Sequence, residues 1–299
     1  MDLKTNVDRL VKVSVMGEVA SPVLRYPPYN ISAFGQLIVC PGVGGIRYNV
    51  RVGDSAVNWV ADHVEPGVSI KNLSSYPGNP EGPNNALNVL SCIGNEARVV
   101  SGEAKGAIGY VTGKHGGIEH VMVDFPPEVL EKLVIGDKVQ VKAFGQGLKL
   151  LDFPEVTVMN IDPSLLMKMD ISVEGDCLVV GVTHVIPAGI MGSGLGSNQT
   201  YSGDYDITLF DEETVKKHNL STLRLGDVVA IMDADSTYGR IYRRGAVTIG
   251  VVVHTNSYIA GHGPGVTTIL TSSKGKIKPV INSKANIAYY LNLRPELNW

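Results

Sequence analysis

The residues in this chain best equipped for chemistry are histidines and aspartates that fall at the ends of candidate strands. His184 opens a Gly-rich run that reaches Gly203 and ends on Asp204-Tyr-Asp206. Those two carboxylates stand at i and i+2, so on a strand they share one face. Asp233 and Asp235 repeat the spacing after the apolar run Val228–Met232. His254 closes the run Ala246–Val253, and His262 sits in Gly261-His-Gly-Pro-Gly265. If these strand ends face one rim, imidazole and carboxylate groups converge on a divalent metal ion. The metal-ligand set read this way is His184, Asp206, Asp233, Asp235 and His254. An ion so held would activate water, with another of these groups as base, against a small amide-like substrate. The structural alternative stays open: Asp favours turns, and a strand-end His commonly bonds backbone.

A second constellation is the Gly-rich stretch from Ser101 to Gly117, which carries Lys114 and His115. Successive glycines let backbone N–H groups converge on an anion, and a lysine adds charge; a plain hairpin tip is the alternative. The expected ligand-binding set is Lys114, His115, His184, Asp204, Asp206, His254 and His262. The span from His184 to Gly203 shows little regular patterning, and structureless loops of that length are usually functional or disordered. Asp62-His63-Val-Glu65, near Trp59, reads as the lining of a pocket or, in preference, of an interface, where aromatic residues ringed by polar groups are common. Other signatures fail on spacing. Gly109 to Lys114 has one residue too few for a phosphate loop. Gly192-Ser-Gly-Leu-Gly196 is no dinucleotide fingerprint, because Pro187 separates it from its strand. Asp233 to Arg244 lacks the closing Glu of a calcium loop.

The elements that must position these groups are mostly strands. The 34 glycines among 299 residues exceed the usual share of about 7%, and they alternate with Val- and Ile-rich runs. That pattern means many tight turns between many short strands. Candidate strands are Val11–Val15, Gln36–Cys40 (a continuous apolar run, read as interior), Ala97–Val100, Ile108–Thr112, Lys138–Phe144, Cys177–Val180, Asp206–Phe210, Val228–Met232, Ala246–Val253 and Val266–Leu270. Three short helices are expected, over 127–133, 163–169 and 212–219, each with a proline or acidic residue at its start. A strand–helix–Gly-Asp–strand order occurs twice, ending at Gly136-Asp137 and Gly226-Asp227. It is either two uses of one turn or two domains of related plan. The fold class is mainly β, with two β-rich, barrel or sandwich-like domains over 1–160 and 161–299.

Composition excludes several roles. Twenty-six Lys and Arg against 29 Asp and Glu give net charge −3, which argues against a nucleic-acid or anionic-lipid coat. No apolar stretch reaches the roughly 20 residues of a membrane span, and residues 1–10 lack a signal-peptide core. The three cysteines are an odd, widely spaced set, as in a reduced compartment. A cytoplasmic homo-oligomer is expected, with no nucleic-acid or membrane partner.

Gly42-Val-Gly-Gly-Ile-Arg-Tyr-Asn-Val, Ala61-Asp-His-Val-Glu-Pro-Gly-Val-Ser, Val111-Thr-Gly-Lys-His-Gly-Gly, Ile135-Gly-Asp and Gly261-His-Gly-Pro-Gly together resemble a prokaryotic family catalogued only as a domain of unknown function. The resemblance spans nearly the whole chain in an amino and a carboxyl part; it implies a mostly β architecture and no activity. The carboxyl half, through Gly203-Asp-Tyr-Asp-Ile, Leu223 to Ile231, Asp233 and Gly239, is faintly similar to the acetamidase/formamidase family. It departs at Asp233-Ala-Asp-Ser-Thr-Tyr, where that family has a loop rich in His and acidic residues. Three functions follow as expectations: a small-molecule or anionic ligand pocket at the Gly-rich loops, a metal-assisted hydrolase, or a structural subunit of a homo-oligomer.

Overall fold

The computed structural model describes residues 3–24 and 29–299. The amino-terminal strands are β1 (Val13–Val19), the short β2 (Asn30–Ile31) and β3 (Leu37–Ile38), β4 (Val68–Lys71), β5 (Glu96–Val99), β6 (Ile108–His115), β7 (His120–Asp124) and β8 (Lys138–Ala143). Six of them close into a barrel in the order β1-β4-β7-β6-β5-β8. β8 shows why: Val139, Val141 and Ala143 are buried while Lys138 and Lys142 are exposed, so a period of two sorts apolar side chains inward. Val15, Val68, Ile70, Val111, Val121 and Val123 fill the interior, joined by Leu87 of helix α1 (Gly82–Leu90).

The carboxyl part holds β9 (Thr157–Val158), β10 (Ile171–Glu174), β11 (Cys177–Val182), β12 (His184–Pro187), β13 (Tyr205–Asp206), β14 (Val228–Asp235), β15 (Ile241–His254), β16 (Gly265–Ser272) and β17 (Ile277–Ile281). One sheet runs β12-β14-β15-β16-β13, with β9 also on β16; another runs β10-β11-β17. All of β16 and the second half of β15 are buried, and their Val, Ile and Thr suit strands covered on both faces. The molecule is thus mainly β, built around a barrel and several sheets. Among the described residues no helix is long and apolar enough to cross a membrane.

Helices α2 (Pro127–Leu130), α3 (Pro163–Leu166) and α4 (Glu212–Lys217) begin where the sequence places them. Asp162 accepts from Ser164 N and Asp211 from Thr214 N, each side chain capping its helix. Two helices escape the sequence reading, α1 and α5 (Ile287–Tyr290). α1 contains Gly, Pro and three Asn, poor helix formers. Tertiary contact holds it instead: Asn84 and Asn88 both donate to the carbonyl of Glu119. The run Gln36–Cys40 is not interior. It contributes β3 to an isolated two-stranded pair in which Leu37 is 61% exposed, and continuity of apolar residues alone does not separate a buried strand from an exposed edge.

The Gly-Asp segments turn out to be the same turn. Gly136 and Gly226 have φ of 91° and 86°, and Asp137 and Asp227 each accept from the backbone N–H three residues earlier, at 3.0 and 2.8 Å. The following strands go to different sheets, β8 to the closed barrel and β14 to the mixed sheet. The two parts meet along β6, which packs against β15 and β16. The loop before β4 is tied across as well: Thr255 N donates to the Val64 carbonyl and Asn256 N to that of Ala56, at 3.0 and 2.8 Å.

Candidate metal centre

Three strand ends and two loops deliver the site. Asp206 ends β13 and Asp204 immediately precedes it. Gly265 begins β16 and lies opposite both Asp206 on β13 and His254 on β15. A register shift between Val252 and His254 re-aims the histidine, as bulges do beside functional sites. Gly265 leaves the space they use, since a Cβ there would collide with Asp204 Oδ2 and the His254 ring. From the barrel, His115 ends β6 and His120 begins β7, directly opposite in the hairpin. His63 comes from the loop before β4 with φ 53°, a left-handed conformation uncommon outside glycine.

These residues form two triads. His115, Asp204 and His254, all buried, offer ligand atoms within 4.8 Å of one another, and His63, Asp206 and His262 do the same. Asp206 faces both: its Oδ2 lies 2.9 Å from His262 Nδ1 and its Oδ1 lies 3.4 Å from His254 Nε2. Asp204 Oδ2 and His254 Nε2 are 2.8 Å apart. Both atoms are buried, and neither has a hydrogen bond of acceptable geometry. Buried polar atoms left this way are rare and call for an explanation.

Each inner imidazole is oriented from behind. His115 Nδ1 lies 2.6 Å from Glu65 Oε1, His63 Nδ1 lies 2.9 Å from Asp62 Oδ2, and His254 Nδ1 lies 2.9 Å from the Thr255 carbonyl. Carboxylates and carbonyls only accept, so each Nδ1 carries a proton, and Nε2 is the nitrogen that a metal ion would take by displacing the proton it holds. Metal-binding histidines are positioned in this way. Glu65 is completely buried and also contacts His120 Nδ1 at 2.9 Å. Asp62 is held in turn by Ser257 Oγ at 2.7 Å.

Burial works against charge throughout, yet opposite charges and hydrogen bonds win. Those of His115 and His120 hold the Glu65 carboxyl well below its ordinary range. Burial opposes the His254 imidazolium, but Asp204 and Asp206 hold it well above the usual histidine value. Burial likewise opposes ionisation of Asp206, which His254, His262 and His63 push far down. Imidazole and carboxylate are the donor set of zinc, manganese, iron and related divalent ions.

A cavity of about 510 Å³ opens onto the triads. Asp62, His63, His115, Asp204, Asp206 and His262 form one part of its wall, and Gly116, Gly117, the Ser193–Ser202 loop and Arg240 form another. The volume is in the range of small-molecule sites.

The description "Domain of unknown function (DUF4438), N-terminal" matches residues 29–167, and "Domain of unknown function (DUF4438), C-terminal" matches residues 168–291. The chain belongs to the DUF4438 family. A solved structure described as "Crystal structure of TM1086" is 50% identical to it, with a TM-score of 0.91 over 97% of this chain and 99% of that one. No curated protein matches.

In this DUF4438 chain, five residues singled out from sequence converge: His115, Asp204, Asp206, His254 and His262. Three expected ligands are elsewhere. Asp235 accepts from Thr237 and pairs with Arg243 at 3.3 Å, and Asp233 accepts from Gly245 N. Antiparallel pairing is the reason: Asp235 lies opposite Ile241, the first residue of β15, whereas His254 is its last, roughly 40 Å of extended chain away. His184 lies on β12, beyond β14 from His254, and its ring is engaged by Thr183, Asn219 and Thr222. Lys114 does not face the cavity either. Its Nζ donates inward to Asn160 Oδ1 and the carbonyls of Val89 and Tyr201. The Asp62–Glu65 patch, read from sequence as pocket or interface lining, walls and underlies the cleft, and His120 is absent from the sequence reading.

Proposed function

We propose that the cleft binds two divalent metal ions and hydrolyses a small polar substrate. The observation that supports this most is the pair Asp204 Oδ2 and His254 Nε2, buried, 2.8 Å apart and without satisfactory hydrogen bonds. A cation between them would displace the proton that Asp204 and Asp206 favour on His254 and engage both atoms directly. His115, Asp204 and His254 would hold one ion, and His63, Asp206 and His262 the other, with Asp206 placed to bridge. Ions so paired polarise a carbonyl or phosphoryl oxygen and make water a nucleophile at neutral pH. The chain's own part is to fix the imidazole tautomers through Glu65, Asp62 and the Thr255 carbonyl, and to leave the cavity side open.

The test is metal analysis of untagged protein reconstituted with zinc, manganese or cobalt, followed by turnover of small amides and esters. About two ions per chain are expected, falling to one or none in D206N and H254A, with hydrolysis that follows metal content. Wild-type protein that takes up none of these ions would overturn the reading. A pocket that binds without turnover is the second reading, favoured by the glycines and serines in the cavity wall; metal-loaded protein that binds ligand but hydrolyses nothing would select it.

A further inference from the structure

Arg240 is 4% exposed and lines the same cavity as the triads. Its Nη2 donates to the carbonyls of Gln199 and Ser202, at 3.2 and 3.0 Å. Its Nε is buried with no hydrogen-bond partner. Among the described residues no carboxylate lies within ion-pairing distance of the guanidinium, and the Tyr205 ring lies 5.6 Å from Cζ. Buried charges are normally paired, because an unpaired one loses hydration without compensation. Gln199 and Ser202, on the loop before β13, offer only neutral carbonyls, and the carboxylates of Asp204, Glu119 and Asp206 act on the guanidinium only from beyond ion-pairing distance. Tyr205 stands between Asp204 and Asp206 in sequence, so the residue under the guanidinium is the neighbour of both triads' carboxylates.

We propose that Arg240 recognises an anionic group, carboxylate or phosphate-like, on a small substrate whose reacting end lies at the triads. The inference rests on the two-metal reading and adds the substrate class to it: a molecule with a hydrolysable polar group at one end and a negative charge at the other. Arginine suits the task because its charge persists at every working pH and its planar donors match oxyanions. The cavity, about 510 Å³, is in the range of small-molecule sites and is lined by Arg240 as well as by residues of both triads.

The test uses three hydroxamates of matched length, in which the hydroxamate addresses the metals: one ending in methyl, one in carboxylate and one in phosphonate. Binding to zinc-loaded protein is followed by calorimetry. At least one anionic probe should bind on the order of tenfold tighter than the neutral one, as a charge-assisted hydrogen bond implies, and the tighter of the two names the anion. In R240M that preference disappears while metal content stays at the wild-type level. R240Q, which keeps donors for the Gln199 and Ser202 carbonyls, carries the same test if R240M does not fold. Equal affinity for all three probes in wild type, or a preference that survives loss of Arg240, overturns the proposal. Failure to load metal would instead strike the two-metal reading. Metal-free protein then decides the arginine arm: preference for succinate over succinamide that R240Q abolishes supports it, and no preference overturns it.

Discussion

Glu65 stays ionised in complete burial because two imidazoles are arranged around it, His115 at 2.6 Å and His120 at 2.9 Å. Its removal therefore tests orientation without touching a ligand. In E65Q the side chain keeps its size, but its charge no longer fixes the proton on Nδ1 of His115. Loss of such an outer partner typically costs about 10–100-fold in metal affinity, and a drop of that size in zinc or manganese titrations is expected, with the fold retained by circular dichroism. Unaltered affinity would reduce Glu65 to a packing role. Residue types alone announced part of this arrangement. The i, i+2 spacing of Asp204 and Asp206 and the strand-end position of His254 are legible because strand periodicity is local. His63 and Glu65 precede Asp204 by more than 130 residues, and no spacing rule connects them. The signal that could have found His120 is short-range: His115-Gly-Gly-Ile-Glu-His120 is a hairpin whose two legs place the histidines opposite each other.

Strand ends do the gathering, and β16 is the element where that is most exposed to test. Its first residue has no side chain, and both Asp204 Oδ2 and the His254 ring occupy the space a Cβ would take. G265A should displace one or both, reducing metal occupancy in the first triad and destabilising the fold by about 1–3 kcal/mol, the usual cost of overpacking. G189A is the control: a Cβ at Gly189 meets nothing within 4 Å, so stability should stay within about 0.5 kcal/mol of wild type. Metal uptake by G265A equal to that of G189A would show that the triad tolerates displacement. The same element explains what sequence could and could not give. The runs that became β6, β14, β15 and β16 were recognisable from Val, Ile and Thr content and bounding turns. Their pairing was not, and pairing decides which strand ends are neighbours. Asp233 and Asp235 have the right chemistry and a suitable strand end, but β14 runs antiparallel to β15, so they emerge opposite the end that carries His254. Glycine told in the other direction too: Gly226 and Gly136 marked one recurrent turn, although the sheets they feed share no plan.

Across the molecule, Lys114 is one of the groups that tie the barrel to the carboxyl part, and it does so fully buried. Its Nζ reaches Asn160 and the Tyr201 carbonyl, both 2.8 Å away, from the end of β6. Burial is the chief cause of its pKa falling to about 8, against roughly 10.4 in an unfolded chain. Between those values the unfolded state binds more protons than the folded one, so stability attributable to Lys114 rises as pH increases from 8 to about 10.4. Below pH 8 the folded protein carries a buried ammonium whose cost is offset only by neutral oxygens. K114M removes both charge and donors, leaving the carbonyls of Val89 and Tyr201 with one partner fewer, and should be less stable than wild type at pH 7.5 by about 2 kcal/mol. The gap should then widen with pH by up to about 1.4 kcal/mol per unit, because only wild type gains from releasing the proton. Urea unfolding of both proteins at pH 7.5 and 9.5 measures the two gaps, and other titrating groups cancel in the difference. A gap that stayed constant or narrowed would mean that Lys114 keeps an ordinary pKa in the folded chain, and that the junction beneath the cleft admits water.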